Sequence, residues 1–176
     1  MNKSEIRKKI LKIRKQKSSQ NLNINYEDIL KILKKNKIKD KLVGGYYPYN
    51  HEVDAMKILK KLERKGYQIS LPKIKKNFQM NFFNWSKNEP LEINKYGIPE
   101  PISYNVVYPD ILLIPLSAFD KRLYRVGYCG GYYDRYIKKI KKRKKIITIG
   151  LAYSFQRVKK IPINKHDVKL DYVVTD

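Results

Sequence analysis

The residues best placed for chemistry lie together at positions 125–134, which read Arg125-Val126-Gly127-Tyr128-Cys129-Gly130-Gly131-Tyr132-Tyr133-Asp134. Glycines at 127, 130 and 131 let backbone N–H groups come close to an anion. A helix opening just after them adds its partial positive charge. Arg125 supplies a planar, permanently charged donor fork that suits phosphate. Asp134 is a ligand type for Mg²⁺, which takes one or two carboxylates together with phosphate oxygens. The loop therefore reads as a phosphate and cation site, set against the plainer reading of a tight strand–helix connection. It is not a Walker loop, since no G-x-x-x-x-G-K-[ST] occurs, and not G-x-G-x-x-G, since position 129 is Cys. Other catalytic patterns fail. His51-Glu52 is not followed by H-E-x-x-H. No G-x-S-x-G accompanies His166, Asp167 and either Ser117 or Ser154. One Cys in the chain excludes an intramolecular disulfide and a Cys-cluster zinc site.

The elements that must position this loop alternate. Apolar spacing predicts helices over 3–17 and over 26–38, the second capped by Asn25. A strand over 42–47 ends at Pro48. A helix over 52–65 follows, with Gly66 as its C-cap. Strands are expected at 68–71, stopped by Pro72, and at 78–85. Residues 96–101 must be irregular, because two prolines exclude helix and interior strand. The continuous run Ile111–Ile114 predicts a strand buried on both faces. The glycine loop opens a basic helix over 131–143, and strands follow at 146–152 and 172–174. This alternation predicts an α/β fold: one three-layer domain over residues 1–176, with an open, mostly parallel, Rossmann-like sheet between helices. On residue type alone, Lys3 and Arg7 read as surface charges on one helical face, Glu52 as a first-turn residue favoured by the helix dipole, and Asp167 as a turn residue. Tyr47 and Tyr96 read equally as core aromatics.

The chain carries 40 Lys and Arg against 16 Asp and Glu, a formal charge of +24 over 176 residues. Such a balance suggests a nucleic-acid-binding module working through Lys-rich helices. The distribution argues otherwise. Residues 1–41 hold 14 basic against 4 acidic residues, and 138–145 read KKIKKRKK, whereas 90–136 hold five of each sign. Charge gathers on helical flanks and leaves the glycine- and aromatic-rich centre balanced, as solvated faces do. No apolar run reaches the ~18–20 residues of a spanning helix. The Lys-rich start lacks the apolar core of a secretory signal. The expected setting is a reducing cytoplasm, without a membrane or nucleic-acid partner.

The segment PDILLIPLSAFDKRLYRVGYCGGYYDRYI resembles the signature of 5-formyltetrahydrofolate cyclo-ligases, also called methenyltetrahydrofolate synthetases. Further blocks follow in the family's order: Lys3 and Arg7 as K-x-x-x-R, Tyr47-Pro-Tyr-Asn-His-Glu52-Val, Tyr96-Gly-Ile-Pro-Glu-Pro101, then Ile149-Gly-Leu-Ala-Tyr, Gln156, Ile161-Pro162 and His166-Asp167-Val. The resemblance implies a sugar-isomerase/CoA-transferase-like fold. It also implies conversion of 5-formyltetrahydrofolate to 5,10-methenyltetrahydrofolate with ATP and Mg²⁺, through a phosphorylated formyl group, by a monomer. By the match, Lys3, Arg7 and residues Arg125, Val126, Gly127, Tyr128, Cys129, Gly130, Gly131, Tyr132 and Tyr133 hold ATP, and Asp134 and Asp167 hold Mg²⁺. Tyr47, Glu52, Tyr96, Tyr128 and Tyr132 contact the folate, with Tyr96 as a stacking platform. Arg125 and Tyr128 stand nearest the chemistry. Two departures are visible: the family usually has Gly where this chain has Cys129, and often Gly where it has Leu123. A positive φ at either position strains a side chain.

Overall fold

The computed structural model describes residues 1–18, 20, 22–38, 41–128 and 130–176. Helix α1 (Lys3–Gln16) starts on a reciprocal cap: the Asn2 side chain accepts from the Glu5 N–H (3.0 Å) and Glu5 accepts from the Asn2 N–H (2.8 Å). Helix α2 (Tyr26–Lys35) starts at Asn25, as its sequence predicts. Strand β1 (Leu42–Gly44) is shorter than the apolar run suggests. The chain leaves the sheet after Gly45 because Tyr46 turns inward, its hydroxyl donating to the Val53 carbonyl (2.9 Å). Helix α3 (Ala55–Glu63) begins three residues later than expected, because Asp54 accepts from the Lys57 N–H and acts as its cap. Glu52 is thus in the turn before the helix, not in its first turn.

Strand β2 (Gln68–Lys75) runs through Pro72 instead of stopping there. Only Gln68–Ser70 pair with β1, so Pro72 lies past the stretch where a missing N–H would break a ladder on that side. Strand β3 (Gln79–Asn84) returns antiparallel to β2. Residues 99–101, expected to be irregular, instead form β5 (Pro99–Pro101), which pairs with β4 (Leu91–Ile93) as a separate two-stranded ribbon; both of its strands are edges, where proline is tolerated. Then come β6 (Val106–Val107), β7 (Ile111–Pro115), β8 (Ala118–Phe119), β9 (Arg125–Val126), α4 (Tyr132–Lys141), β10 (Ile147–Leu151), a 3₁₀ turn (Ser154–Gln156) and β11 (Tyr172–Val174).

The main sheet has the order β11-β10-β7-β1-β2-β3-β6. Five neighbouring strands from β11 to β2 are parallel, and β3 and β6 continue it in antiparallel pairs. The expected open, mostly parallel sheet is what forms. Side chains alternate across it, and the fully buried β7 serves both faces. Ile111 and Leu113 pack under α2 and α3 with Ile29, Leu33 and Leu59. Leu112 and Ile114 pack under α4 with Tyr136, Ile137 and Ile140. Helix α1 closes a third cluster, with Ile6 and Ile10 against Ala118, Val126 and Ile161. Chain order reverses direction across the sheet between β1 and β7. In such sheets ligands bind outside the carboxyl ends of strands at that point. The segments 45–54 and 116–134 emerge there.

Gly44 marks how tightly β1 is held. A Cβ added there would lie 2.7 Å from Phe82 Cε1 and 2.8 Å from both Leu112 and Pro109 side chains. Gly44→Ala is expected to lower stability by about 2 kcal/mol through overpacking, read as a lower urea midpoint at unchanged slope. An unchanged midpoint would show that the layer yields at no cost.

Candidate active site

The glycine loop is built from both ends. Upstream, β8 and β9 pair antiparallel and are joined by a turn that Asp120 organises. The Asp120 carboxylate is fully buried and accepts from the N–H groups of Arg122 (2.9 Å), Tyr124 (3.3 Å) and Ile161 (3.0 Å) and from the Arg122 guanidinium (2.8 and 3.0 Å). Burial pushes its carboxyl up, but these donors outweigh burial and hold it below the ordinary carboxylate range. Leu123 in the same turn adopts φ +66°, a left-handed conformation that favours Gly. It is held by hydrogen bonds at both its N–H and its carbonyl and by half-burial against the α4 cluster. Downstream, Gly130 and Gly131 have φ of +76° and +62°, and Gly131 is the N-cap of α4. A glycine cap offers no side-chain acceptor, so the first N–H groups of α4 stay available to an anion. Cys129 lies outside the described residues.

Three distant segments meet at this loop. From α1, Arg7 Nε donates to the Gly127 carbonyl (2.7 Å), and Lys3 pairs with Asp167 (2.5 Å). From β9, Arg125, its side chain 4% exposed, donates to Asp134 Oδ1 (3.0 Å) and to the Val168 carbonyl (3.0 Å). Val168 N–H donates back to the same Asp134 oxygen (3.0 Å). Burial pulls the Arg125 guanidinium below its ordinary value, and Asp134, then Tyr133 and Asp167, pull it back. The pair is part-buried, and breaking it from the Asp134 side is costly, because the buried Arg125 guanidinium would be left as an uncompensated charge.

Among the described residues no group of three or more His, Cys, Asp and Glu side chains assembles to hold a metal. Asp134 and Asp167 come from different segments, and both carboxylates act electrostatically on the Arg125 guanidinium. Asp134 uses only Oδ1, while Oδ2 makes no hydrogen bond to another described residue. Asp167 accepts from Lys3 and from the Asn164 N–H. Two hard oxygen donors suit a cation that completes its shell with phosphate oxygens and water, so the pair fits Mg²⁺ arriving with a nucleotide.

The aromatic side of the site is bridged by Tyr128. Its hydroxyl accepts from Arg14 (3.1 Å) and donates toward the Asn50 carbonyl (3.3 Å), and its ring meets Tyr49 edge-on at 5.8 Å. Burial is the main reason its hydroxyl is pushed up to about 12. Asn50 and His51 both have positive φ, and this strained turn carries Glu52. Glu52 is 8% exposed and accepts from the Tyr49 N–H (3.0 Å). Burial raises its carboxyl to about 7, opposed by that N–H and by Arg14. Tyr133 places a buried hydroxyl with no hydrogen-bond partner among the described residues, facing Glu52 and Arg125. Tyr132 meets Phe78 edge-on at 5.9 Å. Its hydroxyl is raised by burial and by the Tyr96 hydroxyl beside it. Tyr96 is 51% exposed with Lys95 5.1 Å above its ring, and Tyr47 stands at the rim, 37% exposed, so neither is a core aromatic. A cavity of about 170 Å³ opens beside Glu52, lined also by Arg14, Lys17, His51, Tyr153 and Phe155. Sequence reasoning missed Arg14, Asp120 and Val168. Only Asp120 had a signal, the Phe119-Asp120 pair.

A family model described as the 5-formyltetrahydrofolate cyclo-ligase family matches residues 1–176. The chain belongs to that family. It is 32% identical over 138 residues to the 5-formyltetrahydrofolate cyclo-ligase of Haemophilus influenzae, covering 74% of this chain and 73% of that protein. It is 31% identical over 140 residues to that of Escherichia coli strain K12, covering 76% of each. The solved structure of Aquifex aeolicus 5,10-methenyltetrahydrofolate synthetase matches with a TM-score of 0.75 and 31% identity over 99% of this chain and 90% of that one. The Mycoplasma pneumoniae 5,10-methenyltetrahydrofolate synthetase matches with a TM-score of 0.74 and 25% identity over 99% and 98%.

For this cyclo-ligase family member, Asp120→Ala strips three N–H groups and a guanidinium of their acceptor. It is expected to cost about 3 kcal/mol at pH 7 by urea unfolding. Because the native carboxyl sits below its ordinary value, its contribution is complete above about pH 4 and fades as pH falls through the native value. The gap between wild type and variant should therefore narrow at pH 3. A gap constant with pH would contradict the charge argument.

Proposed function

We propose that the whole chain acts as one catalytic domain, a cytoplasmic and monomeric enzyme that converts 5-formyltetrahydrofolate to 5,10-methenyltetrahydrofolate at the expense of ATP. The observation that carries this reading is the convergence of Lys3, Arg7, Arg125, Asp134 and Asp167 on the uncapped N-terminus of α4, in a chain of the cyclo-ligase family. Among the described residues no helix is long and apolar enough to cross a membrane.

In this reading the triphosphate lies over the loop 125–133, against the α4 N–H groups, with Lys3 and Arg7 facing it from α1. Asp134 and Asp167 hold Mg²⁺, which when bound neutralises phosphate charge. The Arg125 fork is set by Asp134 and Val168 and lies next to the transferring phosphoryl group. The folate enters between Tyr128 and Tyr132 on one side and Tyr47, Glu52 and Tyr96 on the other. The charged Glu52 carboxylate accepts from pterin N–H donors. The formyl oxygen attacks the γ-phosphorus and ADP leaves. The resulting iminium phosphate is attacked at its formyl carbon by the anilino nitrogen, which releases its proton to solvent; the C–O bond breaks, phosphate departs and the ring is left as the methenyl cation. The formyl oxygen is a poor leaving group and phosphate a good one, so the protein's task is alignment and charge neutralisation.

Incubation with 5-formyltetrahydrofolate, ATP and Mg²⁺ is expected to produce methenyl-folate absorbance. No gain from folded protein would sink the reading. Arg125→Ala and Asp134→Asn should each lower kcat by about a hundredfold or more with the fold retained by circular dichroism. Turnover within a few-fold of wild type would remove them from the site. Since Glu52 titrates near pH 7 and must be charged to accept from the pterin, the KM for folate should rise as pH falls below about 7. Glu52→Gln should abolish that limb. A limb that persists in the variant would exclude Glu52 as its origin.

A further inference from the structure

Arg14, in the last turn of α1, is 2% exposed and among the largest fully buried side chains of the protein. It makes no ion pair with a described carboxylate. Its Nη2 donates to the Leu116 carbonyl at the end of β7 (2.6 Å), its Nη1 donates to the Tyr128 hydroxyl (3.1 Å), and its Nε has no partner among the described residues. An unpaired buried cation is expensive, so it persists only where something offsets it. The charge it faces is Glu52, which shares its cavity and is also buried. Resting on the cyclo-ligase reading, we propose that Arg14 is a positioning residue of this site, holding Tyr128 over the 49–52 turn and setting the positive charge that Glu52 meets.

The chain of contacts is continuous. Leu116 fixes the guanidinium to the switch-point strand. The guanidinium fixes the Tyr128 hydroxyl, and Tyr128 touches the carbonyl of Asn50 and the ring of Tyr49. Tyr49 N–H in turn holds the Glu52 carboxylate. Around Glu52, α1 contributes Arg14 and Lys17 to the cavity, the 45–54 segment contributes Tyr46 and His51, and Tyr128 and Tyr133 face it from the loop and α4. Of these, Arg14 is the buried permanent cation. Without it the carboxyl loses a charge that favours ionisation, while burial, which opposes ionisation, stays.

The test is the pH profile of the KM for 5-formyltetrahydrofolate in wild type, Arg14→Gln, Arg14→Met, Arg14→Lys and Glu52→Gln. In Arg14→Gln the acid limb should move up by about one pH unit, so KM at pH 7 rises about fivefold and converges with wild type near pH 9. Arg14→Met fills the same space without charge. It should show the same shift, and it decides the matter where the Gln variant does not fold. Arg14→Lys should bring the midpoint back toward wild type. Folded Gln and Met variants with a lower Tm but an unmoved midpoint would overturn the proposal and leave Arg14 a structural residue. If Glu52→Gln keeps the wild-type limb, the reading of Glu52 fails instead. If wild type shows no turnover, both fail.

Discussion

The ion pair between Arg125 and Asp134 is the contact on which the rest of the site depends. It joins the last short strand before the glycine loop to the first turn of the helix after it. Through Val168, which bonds to both side chains, it also ties in the segment that carries Asp167. The loop between is left-handed at two glycines and has no side-chain cap. Its shape is therefore set from its ends. A buried ion pair need not add stability over an apolar replacement, but losing one partner is severe. That asymmetry favours a pair whose value is geometric: it aims a guanidinium and a carboxylate at one place.

The sheet makes this possible at low cost. Strand β7 is apolar on both faces and anchors both core clusters, to which the loops at the carboxyl end of the sheet add Tyr46, Val53 and Leu116. The switch point holds three of the six non-glycine positive-φ positions among the described residues, Asn50, His51 and Leu123, and four of their five buried charged residues, Arg14, Glu52, Asp120 and Arg125. Local strain of this kind persists where surrounding structure over-determines it.

Much of the architecture was legible in the residues. Ile111–Ile114 reads as a strand covered on both sides, and helices expected from residues 3, 26 and 131 start at Lys3, Tyr26 and Tyr132. The glycine loop and its flanking Arg and Asp were legible because their types are rare and their spacing tight. The misses have physical causes. Two-residue strands such as β6 and β8 are too short to show a period and are defined only by the strands they pair with. Pro72 reads as a strand stop, but sits in a strand past the end of one neighbour. The true cap of α3, Asp54, lies two residues after the Glu that attracted attention. Arg14 is one of 40 basic residues, and only burial distinguishes it from a solvated charge.

In the proposed reaction the formyl oxygen leaves as part of phosphate, after phosphoryl transfer from ATP. Labelling the formyl group of 5-formyltetrahydrofolate with ¹⁸O and analysing the released inorganic phosphate by mass spectrometry tests it directly. One ¹⁸O per phosphate for each methenyl-folate formed is the predicted result. Methenyl-folate formation with unlabelled phosphate, the ¹⁸O appearing in water, would contradict it.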